Sequence, residues 1–489
     1  MIRQAMLFAR GRGLGPLLAA AALVVFGLMP PVAPLTPLGM KAAGVFLATV
    51  ILWVSVGTGY PSFLCIALLA LTGVMSPTRA FASSMGHWIV LFLLGCFGMS
   101  YALRTSGFST RVALWFLTRP FARGRPWMLL ALFLLACTLT GAVMSSTVTA
   151  IIFLAIATPM LETLGYRKGD SFAALVMMGI AWTATAATAM TPIAHASNLT
   201  MIEWLARDFG RLITFPQWML VGVPIGLVTY AVILAVFRFV IRPDASRFDP
   251  MASQYIRDEV AGLGRIRREE LVSVGVFAAV VICWMLPDLA VGVWPALASY
   301  LRGLGYATPA LLGASVLCFL TVRGKPLLTF SDWLGRSVEW GSVALVAAIM
   351  ALGDVVADPA TGIPEFLTAT FAPLAATLST GGFLVLVTLW VVLQTNVMSN
   401  FVSMALVYNT MAPIAVTTNL ADPVALGVVL AVASRYAFCL PAATVVTALV
   451  IGSGWVPVRF MLRYGALLIL PIVLLSAFVF YPFIHVVLR

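Results

Sequence analysis

Two clusters of small polar residues interrupt otherwise apolar stretches of the chain. They consist of Ser145, Ser146, Thr147 and Thr149 in the first half and of Thr395, Asn396, Ser399 and Asn400 in the second. An interrupted helix leaves backbone N–H groups with partial positive charge and carbonyl groups with partial negative charge. The N–H groups suit an anionic substrate, and the carbonyl, hydroxyl and amide oxygens suit a desolvated sodium ion. The two clusters are therefore candidate binding sites for a small anion and for sodium.

The composition of the chain is that of a membrane protein. Of its 489 residues, 62% are hydrophobic and only 9% are charged, whereas a soluble chain has roughly 25% charged residues. The mean hydropathy is +1.06. Since a spanning helix needs about 20 apolar residues, the sequence predicts an all-α polytopic membrane protein with about eleven transmembrane helices. The predicted transmembrane helices include continuous spans at 171–193 and 424–447.

Two further apolar stretches, 126–163 and 374–417, contain the polar clusters in their middles. We interpret them as opposed re-entrant helical hairpins, because polar tips are tolerated at membrane depth only where they are buried in protein or line a cavity. If each hairpin returns to the side of the membrane on which it starts, most of the 29 lysines and arginines lie on the same side as the N-terminus. This asymmetry predicts a multi-pass membrane protein with a cytoplasmic N-terminus.

Several other functions are disfavoured by the sequence. No basic run is long enough to follow a nucleic-acid backbone, and the six cysteines are scattered singly without the spacing of metal ligands. With only three histidines, we expect no resident metal or other cofactor. Ser145 and His195 could be drawn as a nucleophile and its base, but no acidic residue accompanies them, so no enzyme activity is expected. Two sealed hairpins argue against an open channel.

The second half of the chain repeats the first. His87 and Trp88 before one apolar run correspond to Glu339 and Trp340 before another, and Ser145 corresponds to Ser399 at a similar offset. An odd number of predicted crossings separates the matching points, so the second copy is inverted. Inverted repeats with interrupted helices near the membrane midplane are typical of secondary transporters.

The sequence also resembles a known family, the divalent anion/sodium symporter (DASS) family of dicarboxylate carriers. The segment 145–149 is similar to the family's first tip motif, and Ser399-Asn400-Phe401 to its second. Two further similar segments are 213–224 and 437–454. The resemblance extends over about 40–487. The sequence departs from it at Ser146, where the family has asparagine, and at Phe401, where the family has threonine.

The resemblance implies a homodimer of the bacterial inner membrane, in which a fixed scaffold holds a transport part that moves as an elevator. The implied scaffold consists of 1–125 and 269–373, and the implied transport part of 126–241 and 374–489. The segment 242–268 between them is expected to be a cytoplasmic linker.

The same resemblance implies the binding residues. The implied substrate contacts are Ser145, Ser146, Thr147, Ser399, Asn400 and Thr444, to which we add Arg435. The implied sodium ligands are Gly141, Ser145, Ser146, Asn198, Thr395, Asn400 and Thr447.

Two residues could compensate for the departures from the family. Arg435 lies within a predicted span, where a charge is costly and usually functional. It could supply a fixed positive charge to the anion in place of one sodium ion, or it could form a structural ion pair with Asp354 or reach an interface. His195 could couple transport to protons, or it could be a hydrogen-bonded or water-exposed histidine.

The sequence therefore predicts a secondary active carrier of small anions, foremost di- or tricarboxylates, with sodium coupling or anion exchange. The alternatives are a carrier of an inorganic anion such as sulfate, and an arsenite exporter or sodium/proton antiporter of the wider ion-transporter group.

Overall fold

The computed structural model describes residues 2–117, 125–163, 165–243, 262, 264–375, 377–440 and 444–489, and it is almost entirely helical. The helices of the first half are α1 (Ile2–Leu28), α2 (Pro37–Ser55), α3 (Gly59–Leu71), α4 (Pro77–Ser83), α5 (Trp88–Ser106), α6 (Phe108–Leu117), α7 (Pro126–Gly141), α8 (Ser146–Thr163), α9 (Ser171–Ala187), α10 (Ala196–Phe209) and α11 (Phe215–Ala235). A short 3-10 turn, Pro192–Ala194, lies between α9 and α10, and α11 continues as a π-helical turn, Val236–Ile241.

The helices of the second half are α12 (Arg268–Leu289), α13 (Pro295–Gly303), α14 (Ala307–Phe319), α15 (Phe330–Asp332), α16 (Trp340–Ala357), α17 (Ile363–Ala375), α18 (Thr380–Thr395), α19 (Asn400–Thr418), α20 (Pro423–Ala433), α21 (Val445–Gly452), α22 (Val458–Leu475) and α23 (Tyr481–Val487). Two π-helical turns, Trp333–Ser337 and Ser476–Phe480, and a 3-10 turn, Pro359–Thr361, extend or join them. The strands β1 (Thr321–Val322) and β2 (Lys325–Pro326) form a small antiparallel hairpin with Thr321 opposite Pro326.

The predicted all-α membrane fold class is confirmed, because the regular structure of the described chain is helical apart from one hairpin of two-residue strands, and the described chain is rich in apolar helices. Within it, eight helical segments are long and apolar enough to cross a membrane, and seven shorter apolar helices accompany them. The shorter ones include one arm of each predicted hairpin, α7 and α18. Both hairpin stretches break at their polar clusters, between α7 and α8 and between α18 and α19.

Local sequence signals set several helix boundaries. The Thr214 hydroxyl accepts from the Gln217 N–H at 3.4 Å while the Gln217 side chain accepts from the Thr214 N–H at 3.0 Å, so a capping box starts α11. Asp422 caps α20 through the Ala425 N–H at 2.7 Å. Gly107, with φ of 92°, ends α5 in the left-handed region that favours glycine. Polar caps and glycine thus delimit helices whose apolar composition alone gives no boundaries.

The order of elements repeats in the two halves. A long helix, a short helix, a two-helix hairpin, an interrupted helix and a final helix with a π-helical turn follow one another as α5 to α11 and again as α16 to α23. Helices of one half also pack against helices of the other half. α5 of the first half packs against α14 of the second, and α16 of the second half packs against α3 of the first. Such packing between the halves is expected of two copies related by an approximate twofold axis.

The two predicted continuous spans at 171–193 and 424–447 are wrong as continuous helices. α9 ends at Ala187, and α10 does not begin until Ala196. α20 ends at Ala433, and α21 begins at Val445. Both breaks contain alanine and threonine beside apolar residues, so hydropathy does not reveal them. Because α9 packs between α7 and α8, and α20 between α18 and α19, each interruption lies against a hairpin.

Candidate functional site

The first hairpin tip presents a free helix N-terminus. Residues 142–145 separate α7 from α8. Ser145 caps α8, because its hydroxyl accepts a hydrogen bond from the Val148 N–H at 3.3 Å. Ser146 and Thr147 occupy the first turn of α8, whose leading N–H groups have no partner within the helix. Both residues are only partly buried, so this end of the helix can receive an anion.

The interrupted segment between α9 and α10 is tied to the first tip. The Thr191 hydroxyl donates a hydrogen bond to the Ala142 carbonyl oxygen. The Asn198 amide donates to the carbonyl oxygens of Thr188, at 2.7 Å, and Thr191, at 2.8 Å. Asn198 thereby holds the unwound backbone in place against the tip.

Four buried side-chain oxygens of α7, α8 and α10 have no hydrogen-bond partner among the described residues. They are Asn198 Oδ1, Thr140 Oγ1, Thr149 Oγ1 and Thr200 Oγ1. A buried polar atom without a partner is costly and rare in native proteins. Neutral oxygens are the ligands that hard cations such as sodium prefer. The first half therefore carries donors that fit a sodium ion.

The second tip is tied to the interruption between α20 and α21. Asn396 donates to the carbonyl oxygen of Tyr436 at 3.1 Å, and its own side-chain oxygen accepts from the Cys439 N–H at 2.7 Å. The Thr395 hydroxyl oxygen lies 2.8 Å from Asn400 Oδ1 and 2.7 Å from the Ser434 carbonyl oxygen. One hydroxyl proton cannot satisfy both contacts at once. This cluster of oxygens is a second place with donors that fit a small cation.

Arg435 lies at the junction of the two interrupted segments. Its side chain is completely buried. Its Nε donates to the Ala431 carbonyl oxygen at 3.2 Å, and its Nη2 donates to the hydroxyl of Ser197 in the first half. Its Nη1 has no hydrogen-bond partner, and within the described ranges no acidic side chain forms an ion pair with it. A buried charge without a counter-charge is unfavourable, so this guanidinium is suited to bind an anion.

Arg435 and Asp354 do not form an ion pair with each other, which was one of the predicted alternatives. Asp354 instead lies 3.1 Å from Arg207. Arg207 also pairs with its neighbour Asp208 at 2.6 Å, and Tyr408 donates to Asp208 at 2.9 Å. Sequence reasoning missed this pairing because Arg207 and Asp354 are far apart in the chain and approach only through the packing of α10 against α16.

These paired charges line a cavity of about 860 Å³ between α10, α16 and α19. None of the residues that line it is a predicted site residue. Since its acidic groups already have basic or hydroxyl partners, we do not assign the anion to this cavity.

His195 serves as the cap of α10. Its Nδ1 accepts a hydrogen bond from the Ser197 N–H at 3.3 Å and lies 3.1 Å from the Ser197 hydroxyl. Its ring centre is 6.5 Å from that of Phe401, just after the second tip. Ser197 thus connects His195 with Arg435, and the two halves of the candidate site meet there.

We expect His195→Asn to retain transport and its pH dependence, because asparagine is a favourable helix cap. Anion uptake by the variant and the unmodified protein, measured in reconstituted vesicles at about pH 6 and about pH 8, tests this expectation on either side of the ordinary histidine pKa. A selective loss of the pH response in the variant would instead assign proton coupling to His195.

The remaining predicted residues fall into the same region. Thr444 caps α21, and its hydroxyl lies 2.8 Å from that of Thr447. Gly141 ends α7, where a side chain would come within 3.1 Å of the Ala184 carbonyl oxygen. Each tip is thus next to its own interrupted helix, although the sequence predicts both of these helices as continuous. That these residues bind substrate or sodium stays a prediction.

Two polar residues at this site were not predicted to act there. Ser197 is adjacent to the predicted ligand Asn198 in the sequence. Glu339 corresponds to His87 in the sequence repeat, and its carboxyl oxygen accepts a hydrogen bond from Ser145 at 3.4 Å. The hydroxyl beside a predicted ligand could have signalled Ser197, whereas nothing local signals the contact of Glu339.

Comparison with known proteins identifies the family. The family described as the sodium:sulfate symporter transmembrane region matches residues 13–487. The chain is 24% identical over 470 residues to the sodium-dependent dicarboxylate transporter SdcS of Staphylococcus saprophyticus. The aligned region covers 92% of this chain and 86% of that protein. The chain is also 23% identical over 473 residues to SdcS of Staphylococcus aureus, with the same shares covered. The chain therefore belongs to the sodium:sulfate symporter family, the divalent anion/sodium symporters, a family of multi-pass membrane transporters and not of enzymes.

Proposed function

We propose that this protein is a secondary active transporter that carries a small di- or tricarboxylate across the bacterial inner membrane, coupled to sodium. The observation that carries the proposal is the buried guanidinium of Arg435, which has a free Nη1 at the junction of two interrupted helices. A carboxylate brought to this place would receive a charge-assisted hydrogen bond. The N–H groups at the start of α8 would add partial positive charge.

Sodium coupling is supported by the donors at the two tips. Asn198 Oδ1 and the Thr140 and Thr149 hydroxyls are buried without partners, and the Thr395 hydroxyl shares one proton between two acceptors. A sodium ion at either tip would satisfy these oxygens and offset the charge of the anion. The name of the SdcS relatives, sodium-dependent dicarboxylate transporter, agrees with this pairing of ion and substrate.

We further propose that 126–241 and 374–489 move together as an elevator against a scaffold of 1–125 and 269–373, with an N-terminus in the cytoplasm and two copies per assembly. The moving part would have a core of its own, because α9 is buried along almost its whole length between α7 and α8. Polar contacts between the proposed parts include the indole N–H of Trp88, which donates to the Glu203 carboxylate at 3.1 Å, and the pair of Arg207 with Asp354. Partly exposed polar contacts of this kind can be exchanged for water at modest cost.

A second candidate substrate is sulfate, which the description of the matching family favours. Sulfate is also a dianion, but it lacks the separated charges of a dicarboxylate. Among the described residues of the site, Arg435 is the buried cation. The start of α8 supplies the remaining positive charge. We infer that positive charge supplied by two different elements suits a dianion with separated charges better than it suits sulfate.

Uptake of labelled succinate into vesicles that contain the purified protein tests the proposed substrate class. Excess unlabelled succinate, sulfate or a monocarboxylate is added outside under an inward sodium gradient. We expect succinate to abolish the labelled uptake, sulfate to compete weakly and the monocarboxylate to have no effect. Stronger competition by sulfate than by succinate would favour an inorganic anion carrier, and uptake no greater than in protein-free vesicles would contradict the carboxylate proposal.

A further inference from the structure

Arginines from two elements of the first repeat meet at the start of α7. Arg238 lies in the π-helical turn that follows α11, and its guanidinium carbon is 5.0 Å from the ring centre of Trp127, the second residue of α7. Arg125 directly precedes α7, and Arg242 directly follows the π-helical turn. The side chains of Arg125, Arg238 and Arg242 are exposed. We call this surface the arginine rim.

The arginine rim has no acidic partner within the described ranges of the chain. No aspartate or glutamate oxygen of those ranges lies within 4.0 Å of its guanidinium groups. Arg242 uses its Nε to donate to the Phe239 carbonyl oxygen at 2.6 Å, which leaves its two Nη groups for another acceptor. Guanidinium groups bind phosphate and carboxylate oxygens through paired, charge-assisted hydrogen bonds. The rim therefore offers unused donors to an anion.

An exposed apolar surface lies next to the arginine rim. Phe239 and Val240 of the same π-helical turn are 65% and 55% exposed. The turn is held from inside, because Phe237 is completely buried and its ring centre lies 5.5 Å from that of Trp182 on α9. Tryptophan and arginine at the end of apolar helices are typical of the level of the lipid headgroups. Positive charge beside an apolar surface matches the two ends of an anionic phospholipid.

The second repeat makes the same contact without a charge. Phe478 is the third residue of its π-helical turn, as Arg238 is of the first turn. The Phe478 ring comes within 3.0 Å of the place that a Cβ atom on Gly381 would take. Gly381 is the second residue of α18, as Trp127 is of α7. The repeated fold therefore does not require an arginine at this contact.

The starts of the two hairpin arms differ in the same direction. Ser379 caps α18, because its hydroxyl accepts a hydrogen bond from the Gly382 N–H at 3.2 Å. Arg125 stands at the corresponding place before α7, and its side chain forms no capping hydrogen bond. A positive side chain beside the positive end of a helix is unfavourable by itself, whereas an anion bound there would be stabilised by both.

We propose that the arginine rim binds the phosphodiester headgroup of an anionic phospholipid, with the acyl chains against Phe239 and Val240. The phosphate would accept charge-assisted hydrogen bonds from the guanidinium groups and lie at the positive end of α7. One lipid would thereby join the start of α7 to the end of the helix formed by α11 and its π-helical turn. The inference does not depend on the proposed substrate, because no predicted substrate or sodium residue belongs to the rim.

Native mass spectrometry of the purified, full-length protein in a neutral detergent tests this inference. Dioleoyl phosphatidylglycerol is titrated into the protein, and dioleoyl phosphatidylcholine, which has the same chains and no net charge, is titrated in parallel. We expect saturable retention of phosphatidylglycerol and weak, unsaturated retention of phosphatidylcholine. Glycerol phosphate is then added to the protein–phosphatidylglycerol complex at a concentration equal to that of the lipid, and we expect no displacement.

The combined substitutions Arg238→Gln and Arg242→Gln should weaken phosphatidylglycerol binding by at least roughly 10-fold, because two cations beside an anionic headgroup are lost. Arg238→Phe should also weaken it, and this variant introduces the residue type that the second repeat accommodates at Phe478. Arg104→Gln is the matched control. Arg104 also lies over an aromatic ring, at 5.1 Å from the Tyr101 ring centre, but it is not part of the rim, so its loss should leave the affinity unchanged.

Equal phosphatidylglycerol affinity in the unmodified protein, the double variant and Arg238→Phe would overturn the inference. Equal retention of the two lipids by the unmodified protein would also overturn it, since the rim would then not recognise charge. Displacement by glycerol phosphate would assign the rim to a soluble phosphate and reject the lipid. Calorimetric titration with succinate should give the same affinity in the double variant as in the unmodified protein, and weaker succinate binding would instead place these arginines at the transport site.

Discussion

Arg435→Gln is expected to weaken anion binding by at least about 30-fold, because the loss of one charge from a buried charge pair costs about 2–5 kcal/mol and each 1.4 kcal/mol is a factor of ten. Glutamine is shorter and neutral, so it cannot replace the free Nη1 donor of the buried guanidinium. Isothermal titration of the purified protein with succinate, in the presence of sodium, measures the change.

Two control variants separate the charge of Arg435 from its structural role. Arg435→Lys should bind the anion with intermediate affinity, because it keeps the charge and loses the fork of donors. Asp354→Asn should bind it normally, since Asp354 pairs with Arg207 and not with Arg435. Unchanged succinate affinity in a folded Arg435→Gln protein would contradict the assignment of Arg435 to the anion.

Asn198→Ala is expected to raise the sodium concentration that half-saturates binding by at least roughly 10-fold, since the loss of even an outer-shell partner of a metal site typically costs 10- to 100-fold. The Oδ1 atom of Asn198 is buried and accepts no hydrogen bond, so it is available to bind a cation. The shift of the thermal unfolding midpoint on sodium titration provides the measurement, because a ligand that binds only the folded state stabilises it.

Asn396→Ala is the matched control for this variant. Asn396 is also a buried asparagine that holds an unwound segment, here from the second tip. Its side-chain oxygen already accepts from the Cys439 N–H, and its amide donates to the carbonyl oxygens of Val392 and Tyr436. Both variants should unfold at a lower temperature, since each removes buried hydrogen bonds. Only Asn198→Ala should need more sodium. An equal sodium response in Asn198→Ala and the unmodified protein would exclude Asn198 as a sodium ligand.

Much of the fold follows from features that are local in the sequence. Polar residues within an apolar stretch are unfavourable in lipid, so Ser145 and Ser399 marked the breaks between α7 and α8 and between α18 and α19. The breaks after Ala187 and Ala433 were not predicted. Both contain alanine and threonine beside apolar residues, and the contacts that stabilise them are long-range. One example is the indole N–H of Trp218, which donates to the Ala189 carbonyl oxygen at 3.0 Å.

The candidate site shows the same division. The burial of Arg435 could be predicted, because a lone arginine in an apolar span rarely faces lipid. Its partner could not, since Ser197 approaches it from the other half of the chain. The contact of Glu339 with Ser145 also joins residues distant in sequence. Residue type and local spacing therefore identified candidates, and only the packing of the two repeats determines which of them meet.

The coupling of anion transport to sodium is tested most directly by labelled succinate uptake under three conditions. These are an inward sodium gradient, sodium-free buffer, and sodium-free buffer with unlabelled succinate preloaded inside. The presence of unpartnered oxygens at Asn198, Thr140 and Thr149 predicts uptake that requires the sodium gradient. Uptake that needs preloaded succinate and is indifferent to sodium would contradict this account, and Arg435 would then be the charge that replaces the ion.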